Sequence, residues 1–393
     1  MTRLDTALPH PHPPPPTGQP GLSALAAYFL RLGSVGFGGP IALVGYMQRD
    51  LVESRRWITE PEYKEGLALA QLAPGPLAAQ LAMYLGWVRG GAWGATLTGA
   101  AFIAPSFLMV LALSAVYVHA GGLPWMQRAF YGVGAAVIAV IARSAIKLVR
   151  MTLGRDRLRW ALFALSAGVT AWTGTEIVWV FLASGLVPVL VRTAPRGGAG
   201  GGSRSASLAL LLAAGPALPS VGLLGTILGY FAGAGLFVFG SGLAIVPYLH
   251  GGVVQHFHWL TERQFLDAVA VSMITPGPVV ITVAFIGYLA AGPLGAAAAA
   301  LGVFLPVYLV TVLLAPSFHR WARDRRITAF VEGVTAAATG AIAGAVVVLG
   351  RRSLGDAGAV LIATVAFVVL TATKRIPEPL LILAAGLVGS ALR

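Results

Sequence analysis

Two Pro-Gly-Pro triplets interrupt apolar stretches of this 393-residue chain, one at 74–76 and the other at 276–278. Proline cannot donate a backbone hydrogen bond and clashes with the preceding helical turn, so a helix must break at each triplet. A helix that restarts beyond such a break presents unpaired N–H groups and the positive end of its dipole, which suit an anion. The triplets therefore predict an anion-binding site made of backbone groups. The alternative is that they only kink the helices.

Each half of the chain also carries an earlier break made of small residues, Phe37-Gly38-Gly39-Pro40 in the first half and Gly240-Ser241-Gly242 in the second. Polar residues lie next to both triplets. Polar side chains next to the triplets could donate hydrogen bonds to the oxygens of an oxyanion. The candidate binding residues are the breaks, these polar neighbours and one arginine: Arg31, Phe37, Gly38, Gly39, Pro40, Gln71, Pro74, Gly75, Pro76, Gln80, Gly240, Ser241, Gly242, Thr275, Pro276, Gly277 and Pro278.

Arg31 is the charged member of this set, and it lies roughly 14 Å into the first apolar segment at about 1.5 Å per residue. A guanidinium at that depth is costly unless it meets an anion, a carboxylate or water. We expect Arg31 to contact the anion, and the alternative is a structural ion pair with Glu65 or Glu332. These two acids and Asp267 are candidates for proton coupling.

Several kinds of chemistry are excluded by what the sequence lacks. The chain has no cysteine, and its loop histidines, His250, His256 and His258, lie near no cluster of carboxylates, so neither a metal site nor a cofactor is expected. The apolar segments contain no nucleophile paired with a base, and no Gly-x-x-x-x-Gly-Lys-Ser/Thr loop is present. The chain is therefore expected to be no enzyme and to use no ATP directly.

The composition predicts a multi-pass membrane protein. Residues of the AVILMFWYC set make up 57% of the chain and only 10% are charged, which is not typical of a soluble domain of this length. Apolar segments of about 18 residues or more, long enough to cross a bilayer, recur along the chain. The net charge of +13 comes from Lys and Arg in short loops, where they set orientation, so the expected partner is the lipid bilayer and not nucleic acid.

The chain is an internal duplication. A shift of 202 residues places Phe37, Trp57 and Thr59 on Phe239, Trp259 and Thr261, and it superposes the two triplets. The predicted division is a disordered Pro-rich tail at 1–20, an N-terminal transport repeat at 21–192, a linker at 193–218 and a C-terminal repeat at 219–393. Capping-box spacing at Thr59 and Thr261 predicts that a helix begins there in both repeats.

The positions of Lys and Arg indicate the topology. If 60–88 and 262–289 enter the membrane and return as broken-helix hairpins, one face carries 19 of the 27 Lys and Arg residues, as cytoplasmic loops should. The expected fold is therefore an all-α polytopic membrane protein with two inverted repeats. Each repeat would have about five transmembrane helices plus a re-entrant broken-helix hairpin, and both termini would lie outside. Broken helices in inverted repeats are typical of secondary transporters.

The combination of Phe37-Gly38-Gly39-Pro40, Trp57-Ile58-Thr59-Glu60 and Pro74-Gly75-Pro76, echoed in the second half, resembles the chromate ion transporter family in its long, two-domain form. The resemblance covers about 22–390. It implies a transporter that exports chromate across the bacterial inner membrane and halves that are oppositely oriented. The second repeat departs from the pattern at Ser241 and Gly242 and has Gly233 in place of Arg31, so equal roles for the two halves are not implied.

The same sequence features are compatible with other transport functions. Sulfate and molybdate have nearly the shape and charge of chromate, so transport of either anion is an alternative, and an anion channel is another. A homodimer is a candidate assembly.

Overall fold

A computed structural model describes residues 21–37, 39–120, 124–174, 178–193, 222–236, 238, 245–318, 324–373 and 376–392. The first half contains helices α1 Leu22–Val35, α2 Gly39–Met47, α3 Glu60–Leu72, α4 Leu77–Ala120, α5 Pro124–Thr152, α6 Arg157–Thr173 and α7 Val178–Thr193. The second half contains α8 Leu223–Leu236, α9 Val246–His250, α10 Glu262–Ile274, α11 Thr282–Leu314, α12 Arg325–Ser353, α13 Ala357–Ala372 and α14 Glu378–Leu392. These ranges contain no strand, so the described chain is all-α.

Four helical segments of the described chain are long and apolar enough to cross a membrane, at 77–120, 126–152, 279–317 and 325–353. Together with the composition, they confirm the class of multi-pass membrane protein. The predicted tail at 1–20 lies outside the described residues, as does the predicted linker beyond Thr193.

The helices α3 and α10 begin where the capping boxes predicted. The Thr59 side chain accepts a hydrogen bond from the Glu62 backbone, and the Glu62 carboxylate accepts one from the Thr59 N–H at 2.8 Å. Thr261 and Gln264 repeat this arrangement, with 2.9 Å between the Thr261 N–H nitrogen and the side-chain oxygen. Local sequence therefore determines both helix starts.

The first Pro-Gly-Pro triplet turns the chain back on itself. Beyond it, the short arm of α4, residues 77–89, runs antiparallel to α3. A Cβ atom added to Gly66 would overlap the Tyr84 ring, and the Arg89 guanidinium reaches the Glu62 carboxylate at 3.1 Å. Residues 60–89 thus form one helical hairpin, called here the second hairpin. In its equivalent at 262–290, the fourth hairpin, the Thr282 hydroxyl donates to Ser272 Oγ at 2.6 Å across the two arms.

The earlier break also reverses the chain, which differs from the sequence prediction. The Tyr28 hydroxyl donates to Asp50 Oδ2 at 3.4 Å, and the Arg55 guanidinium lies 5.6 Å from the Tyr28 ring centre. Residues 28 and 50 would be about 33 Å apart along a continuous helix. The prediction that the first apolar segment crosses the membrane, as the first of five spans in this repeat, is therefore wrong. Residues 22–54 form a first hairpin, because the helix ends near Gly36 and restarts at Gly39 in the opposite direction.

The second repeat shows the same reversal. The Tyr230 ring stacks on Tyr248 with 5.2 Å between their centres, and the Tyr230 hydroxyl donates to the Tyr248 carbonyl at 2.7 Å. Residues 223–256 are called the third hairpin. Each repeat thus has two hairpins where one was expected.

A sharp turn inside α4 returns the chain to the direction of α3. Gly91 has a φ of +56°, which favours glycine, and the Thr98 hydroxyl donates to the Ala82 carbonyl at 2.8 Å across the turn. The long arm of α4, residues 92–120, continues beyond the turn as a helix long enough to cross a membrane. Gly292, with a φ of +64°, makes the equivalent turn in α11, whose long arm is 293–314.

The two long arms run antiparallel to each other. Tyr308, near the end of α11, hydrogen-bonds to Thr96 at 2.9 Å and to the Ala92 carbonyl at 3.3 Å, at the start of the long arm of α4. Equivalent helices of the two repeats therefore point in opposite directions where they meet.

The repeats also exchange their peripheral helices. Gly132 of α5 packs against Ala385 and Gly389 of α14, and Gly333 of α12 packs against Ser184 and Pro188 of α7. A shift of 201 residues relates the two sets of contacts, so both belong to one pseudo-two-fold arrangement. The outer helices of each sequence repeat thus cover a helix of the other repeat.

Candidate anion-binding site at the hairpin tips

The hairpin tips of the two repeats are joined by a reciprocal pair of hydrogen bonds. The Gly75 N–H donates to the Val238 carbonyl at 2.6 Å, and the Gly277 N–H donates to the Gly36 carbonyl at 2.9 Å. Each Pro-Gly-Pro tip therefore contacts the first-break tip of the other repeat. The two triplets, 202 residues apart in sequence, lie in one central region.

The backbone of both triplets requires glycine. Gly75 has a φ of +143° and Gly277 a φ of +100°, conformations that side chains rarely adopt. A Cβ atom on Gly75 would lie 2.7 Å from Val307 Cγ1, and one on Gly277 would overlap Ser106 Oγ. The tips can therefore pack this closely only because Gly75 and Gly277 have no side chain.

Ser106 is a site residue that the sequence analysis missed. Its side chain is fully buried, and its hydroxyl donates to the Pro276 carbonyl at 2.8 Å and lies 3.4 Å from the Gly33 carbonyl. One serine in a long apolar helix gives no local signal of this role. The equivalent residue is Val307, so the hydroxyl is present in one repeat only.

The short arm of α4 begins at the tip with free helical N–H groups. Its first hydrogen bond runs from the Gln80 N–H to the Pro76 carbonyl at 3.0 Å, so the N–H groups of residues 77–79 lie outside the helical ladder. All three residues are buried. The Gln80 side chain, 0% exposed, donates from Nε2 to the Pro74 carbonyl at 2.9 Å. Within the described chain, its Oε1 has no hydrogen-bond partner.

The remaining candidate residues lie at different distances from this centre. The Thr275 hydroxyl is buried and donates to the Val271 carbonyl of its own helix at 3.0 Å. Arg31, Phe37 and Gln71 have exposed side chains. Gly38, Gly240, Ser241 and Gly242 lie outside the described residues.

Neither acid that the sequence offered as a partner for Arg31 pairs with it. Glu332 binds Arg159 at 2.7 Å, and Glu65 interacts with Tyr84 within the second hairpin. Among the described residues, Arg31 has no ion pair. The guanidinium is thus left on the exposed side of α1, one turn before the first break.

The two sides of the central region are unequally covered. In α10 every residue from Phe265 to Met273 is buried, whereas in the equivalent helix α3 only Tyr63, Gly66, Leu69 and Ala70 are. The exposed side chains of Arg31, Phe37 and Gln71 all belong to the first repeat. Among the described residues, α3 is therefore less covered by neighbouring helices than α10.

The three candidate coupling acids are not brought together. Glu332 lies in a salt bridge between α12 and α6, and Glu65 lies within the second hairpin. Asp267 is buried in α10 and accepts a hydrogen bond from the Tyr117 hydroxyl at 2.7 Å. No group of three or more His, Asp or Glu side chains in the described ranges is placed to hold a metal ion.

A family model described as "Chromate transporter" matches the chain twice, over residues 23–189 and 225–390. The chain is 55% identical to the "Chromate transport protein" of Cupriavidus metallidurans over 370 residues, 94% of this chain and 92% of that protein. It is 54% identical to the "Probable chromate transport protein" of Synechococcus elongatus over 94% of this chain and 95% of that protein. The "Chromate transport protein" of Pseudomonas aeruginosa is 34% identical over 84% of this chain and 80% of its own length. No solved structure matches significantly.

Proposed function

Because the chain belongs to the chromate transporter family, we propose that it exports chromate across the bacterial inner membrane and holds the anion where the hairpin tips meet. The observation that carries this proposal is the reciprocal pair of hydrogen bonds from Gly75 to Val238 and from Gly277 to Gly36. These bonds link the two repeats at a region where broken helices begin and end. A small change in how the tips pack could therefore expose the region to one side or the other.

The lengths of the hairpin arms support a site inside the membrane. Helix α3 has 13 residues, which at about 1.5 Å per residue is roughly 20 Å, less than the ~30 Å hydrocarbon core. A hairpin of this length reaches the interior of the bilayer without crossing it. Because the long arms of α4 and α11 are antiparallel, we infer that the repeats are inverted and that their hairpins enter from opposite faces.

The charge distribution supports an orientation. Arg49, Arg55, Arg56, Lys64 and Arg89 all lie at the open ends of the first and second hairpins, so this face is assigned to the cytoplasm. Leu22 lies against Gly90, where an added Cβ would be 2.7 Å from Leu22 Cδ1, so α1 also begins at this face. This differs from the expectation that the chain starts outside, because the first hairpin returns to the face it left.

The chemistry of the tips suits a tetrahedral oxyanion. The N–H groups of residues 77–79 and the dipole of the α4 short arm supply positive potential without a fixed charge. Arg31 would add two parallel donors on the accessible side of α1, matching two oxygens of chromate. Chromate and sulfate are both tetrahedral dianions, so we expect these groups to bind either anion.

Export needs no nucleotide in this scheme. A dianion that leaves down an inside-negative potential gains about 4.6 kcal/mol per 100 mV, twice the single-charge value. That corresponds to a concentration ratio of roughly a thousandfold at about 1.4 kcal/mol per tenfold. The membrane potential alone is thus sufficient to drive the proposed direction.

The test is chromate accumulation by everted membrane vesicles, with sulfate as competitor. We expect uptake in vesicles with the wild-type chain and its loss with Gly75→Ala, because the added Cβ would push Val307 and Gln80 away from the tip. Gly154→Ala is the matched control: Gly154 also has a positive φ, +52°, but an added Cβ there meets nothing within 4 Å. Wild-type vesicles that accumulate no more chromate than empty ones would refute the function, and normal uptake with Gly75→Ala would refute the site.

A further inference from the structure

Asp267 is a buried acid beside a cavity, and one of its carboxyl oxygens lacks a hydrogen-bond partner in the described chain. Asp267 is 2% exposed, and its Oδ2 accepts the hydrogen bond from Tyr117. Its other oxygen, Oδ1, is buried and has no partner in the part of the chain that the structure describes. A carboxylate in this setting keeps a large desolvation cost, which protonation removes. The site therefore favours exchange of a proton over permanent charge.

The cavity next to this carboxyl has a volume of about 110 Å³ and is partly open. Its lining residues are Tyr117, Met126, Gln127, Phe130, Arg263 and Asp267. It lies near the start of α10, at the open end of the fourth hairpin, which faces outward in the proposed orientation. Water from the outer face can therefore bring a proton to Asp267.

The charged and titratable groups around the cavity are few. Tyr117 faces it from α4, and Arg263 faces it from the preceding turn of α10, where its guanidinium donates to the Gln127 carbonyl. From α9 and α12, His250 and Arg352 bind Glu262 and not Asp267. In the described ranges, no other charged side chain lines this cavity.

Asp267 is connected to the central tips through α4. Tyr117 and Ser106 are 11 residues apart, about three helical turns, so they lie on the same face of the long arm. Tyr117 bonds Asp267 in α10, and Ser106 bonds the Pro276 carbonyl at the tip of the same hairpin. The protonation state of Asp267 therefore acts on one of the two side-chain hydrogen bonds that join the described part of the fourth hairpin to α4.

The first repeat does not duplicate this arrangement. The residue equivalent to Asp267 is Glu65, which interacts with Tyr84 inside its own hairpin. The residue equivalent to Tyr117 is Phe318, which has no hydroxyl. Within this equivalent pair, Asp267 contacts the other repeat through the Tyr117 hydroxyl.

We propose that Asp267 is a proton-binding site that couples inward movement of one proton to outward movement of one oxyanion. The carboxylate takes up a proton from the outer cavity, the neutral carboxyl weakens the contact with Tyr117, and the proton leaves to the inside when the site next opens there. The proposal rests on the proposed transport function and adds the coupling ion to it. Each cycle moves two negative charges outward and one positive charge inward. This is equivalent to three positive charges moving inward, so an inside-negative potential drives both movements.

The experiment uses the full chain in proteoliposomes, with both sides above neutral pH. Two fluxes are measured: exchange of labelled chromate with no gradient, and chromate accumulation driven by one pH unit with the potential clamped at zero by potassium and valinomycin. One proton per anion gives at most about a tenfold accumulation, since one pH unit is about 1.4 kcal/mol. We expect the wild type to approach this limit and Asp267→Asn to show none, while exchange stays within about twofold.

Two variants control the interpretation. Asp267→Glu keeps the carboxyl, the cavity offers room for its extra methylene, and it should retain the response to pH. Glu65→Gln changes the equivalent acid of the first repeat and should retain both fluxes. A wild type that exchanges chromate but ignores the pH gradient, or an Asp267→Asn variant that still follows it, would overturn the coupling. Absence of exchange in the wild type would instead refute the transport function itself.

Discussion

At the scale of single residues, the candidate site depends on glycines, which have no Cβ atom, and on a buried side-chain oxygen without a hydrogen-bond partner. Gly277 leaves just enough room for Ser106 Oγ, which in turn bonds the Pro276 carbonyl. Gln80 bonds the Pro74 carbonyl and keeps one oxygen without a partner in the described chain. These contacts hold both Pro-Gly-Pro tips in conformations that alanine would resist.

The contact between Gly277 and Ser106 gives a stability prediction. Gly277→Ala should lower the free energy of unfolding by about 1–3 kcal/mol, because the new Cβ overlaps Ser106 Oγ and the φ of +100° is strained. Adding Ser106→Ala removes that oxygen and should restore part of the loss. Thermal unfolding in detergent of both single variants and the double variant measures the coupling. Losses that simply add would show that the two residues do not compete for space.

Arg31 gives a prediction about affinity. Loss of a charge-assisted hydrogen bond costs about 1.5–3 kcal/mol, so Arg31→Gln should raise the chromate KM about tenfold or more. Arg31→Lys keeps the charge but not the paired donors and should have a smaller effect. Arg143→Gln is the control, because Arg143 is bound to Glu378 at 3.3 Å and should affect folding instead of affinity. An unchanged KM for Arg31→Gln would make the residue structural.

At the scale of elements, the hairpin is the unit from which the central region is made. The second and fourth hairpins begin at capping boxes and turn at Pro-Gly-Pro, and the first hairpin turns between Gly36 and Gly39. The break at 36–40 and the triplet at 74–76 both reverse the chain. Among the described residues of each repeat, the long arm that follows the second reversal is the longest helix of the central region.

Accessibility of single cysteines tests both reversals in the first repeat. Because the chain has no native cysteine, Ser23→Cys, Ser54→Cys and Ala92→Cys each provide one thiol. All three side chains are exposed at the open ends of the first two hairpins, so an impermeant maleimide should label them from the cytoplasmic side only. Gly355→Cys, between α12 and α13, should be labelled from outside. Labelling of Ser23→Cys and Ser54→Cys from opposite faces would mean that the first hairpin crosses the membrane.

At the scale of the whole molecule, the two repeats are interlocked instead of side by side. Helix α5 packs on α14 through Gly132, and α12 packs on α7 through Gly333. Arg159 of α6 also binds Glu332 of α12 at 2.7 Å. The peripheral helices of each repeat therefore pack against a helix of the other repeat. A movement of one half must consequently displace helices of the other half.

Interlocking predicts that neither half is stable alone. If the chain is divided within the Gly-rich segment 197–202, each half expressed separately should be degraded, because faces of α5 or α12 that are normally buried would meet lipid. Co-expression of the halves should restore both protein and chromate transport. The measurement is the amount of each half in membranes, with the undivided chain as control. A single half that accumulates to normal levels and transports chromate would contradict the interlocked arrangement.

The sequence by itself determined the membrane class, the duplication, the helix starts at Thr59 and Thr261, and the breaks at both triplets. All of these follow from composition or from residues within one or two helical turns of each other, where capping and proline geometry act. The motifs around Phe37, Trp57 and Pro74 also sufficed to recognise the family. Local rules state that a helix ends at Gly36, but they do not state in which direction the chain continues.

Tertiary structure alone decided that direction and what the tips contact. The reversal at the first break is seen in the contact of Tyr28 with Asp50, and the candidate site brings Ser106 to the Pro276 carbonyl, 170 residues away. The position of Asp267 beneath Tyr117, at a separation of 150 residues, is likewise absent from any local pattern. Such contacts follow from how whole helices pack, because side chains far apart in sequence become neighbours only after the backbone has been placed.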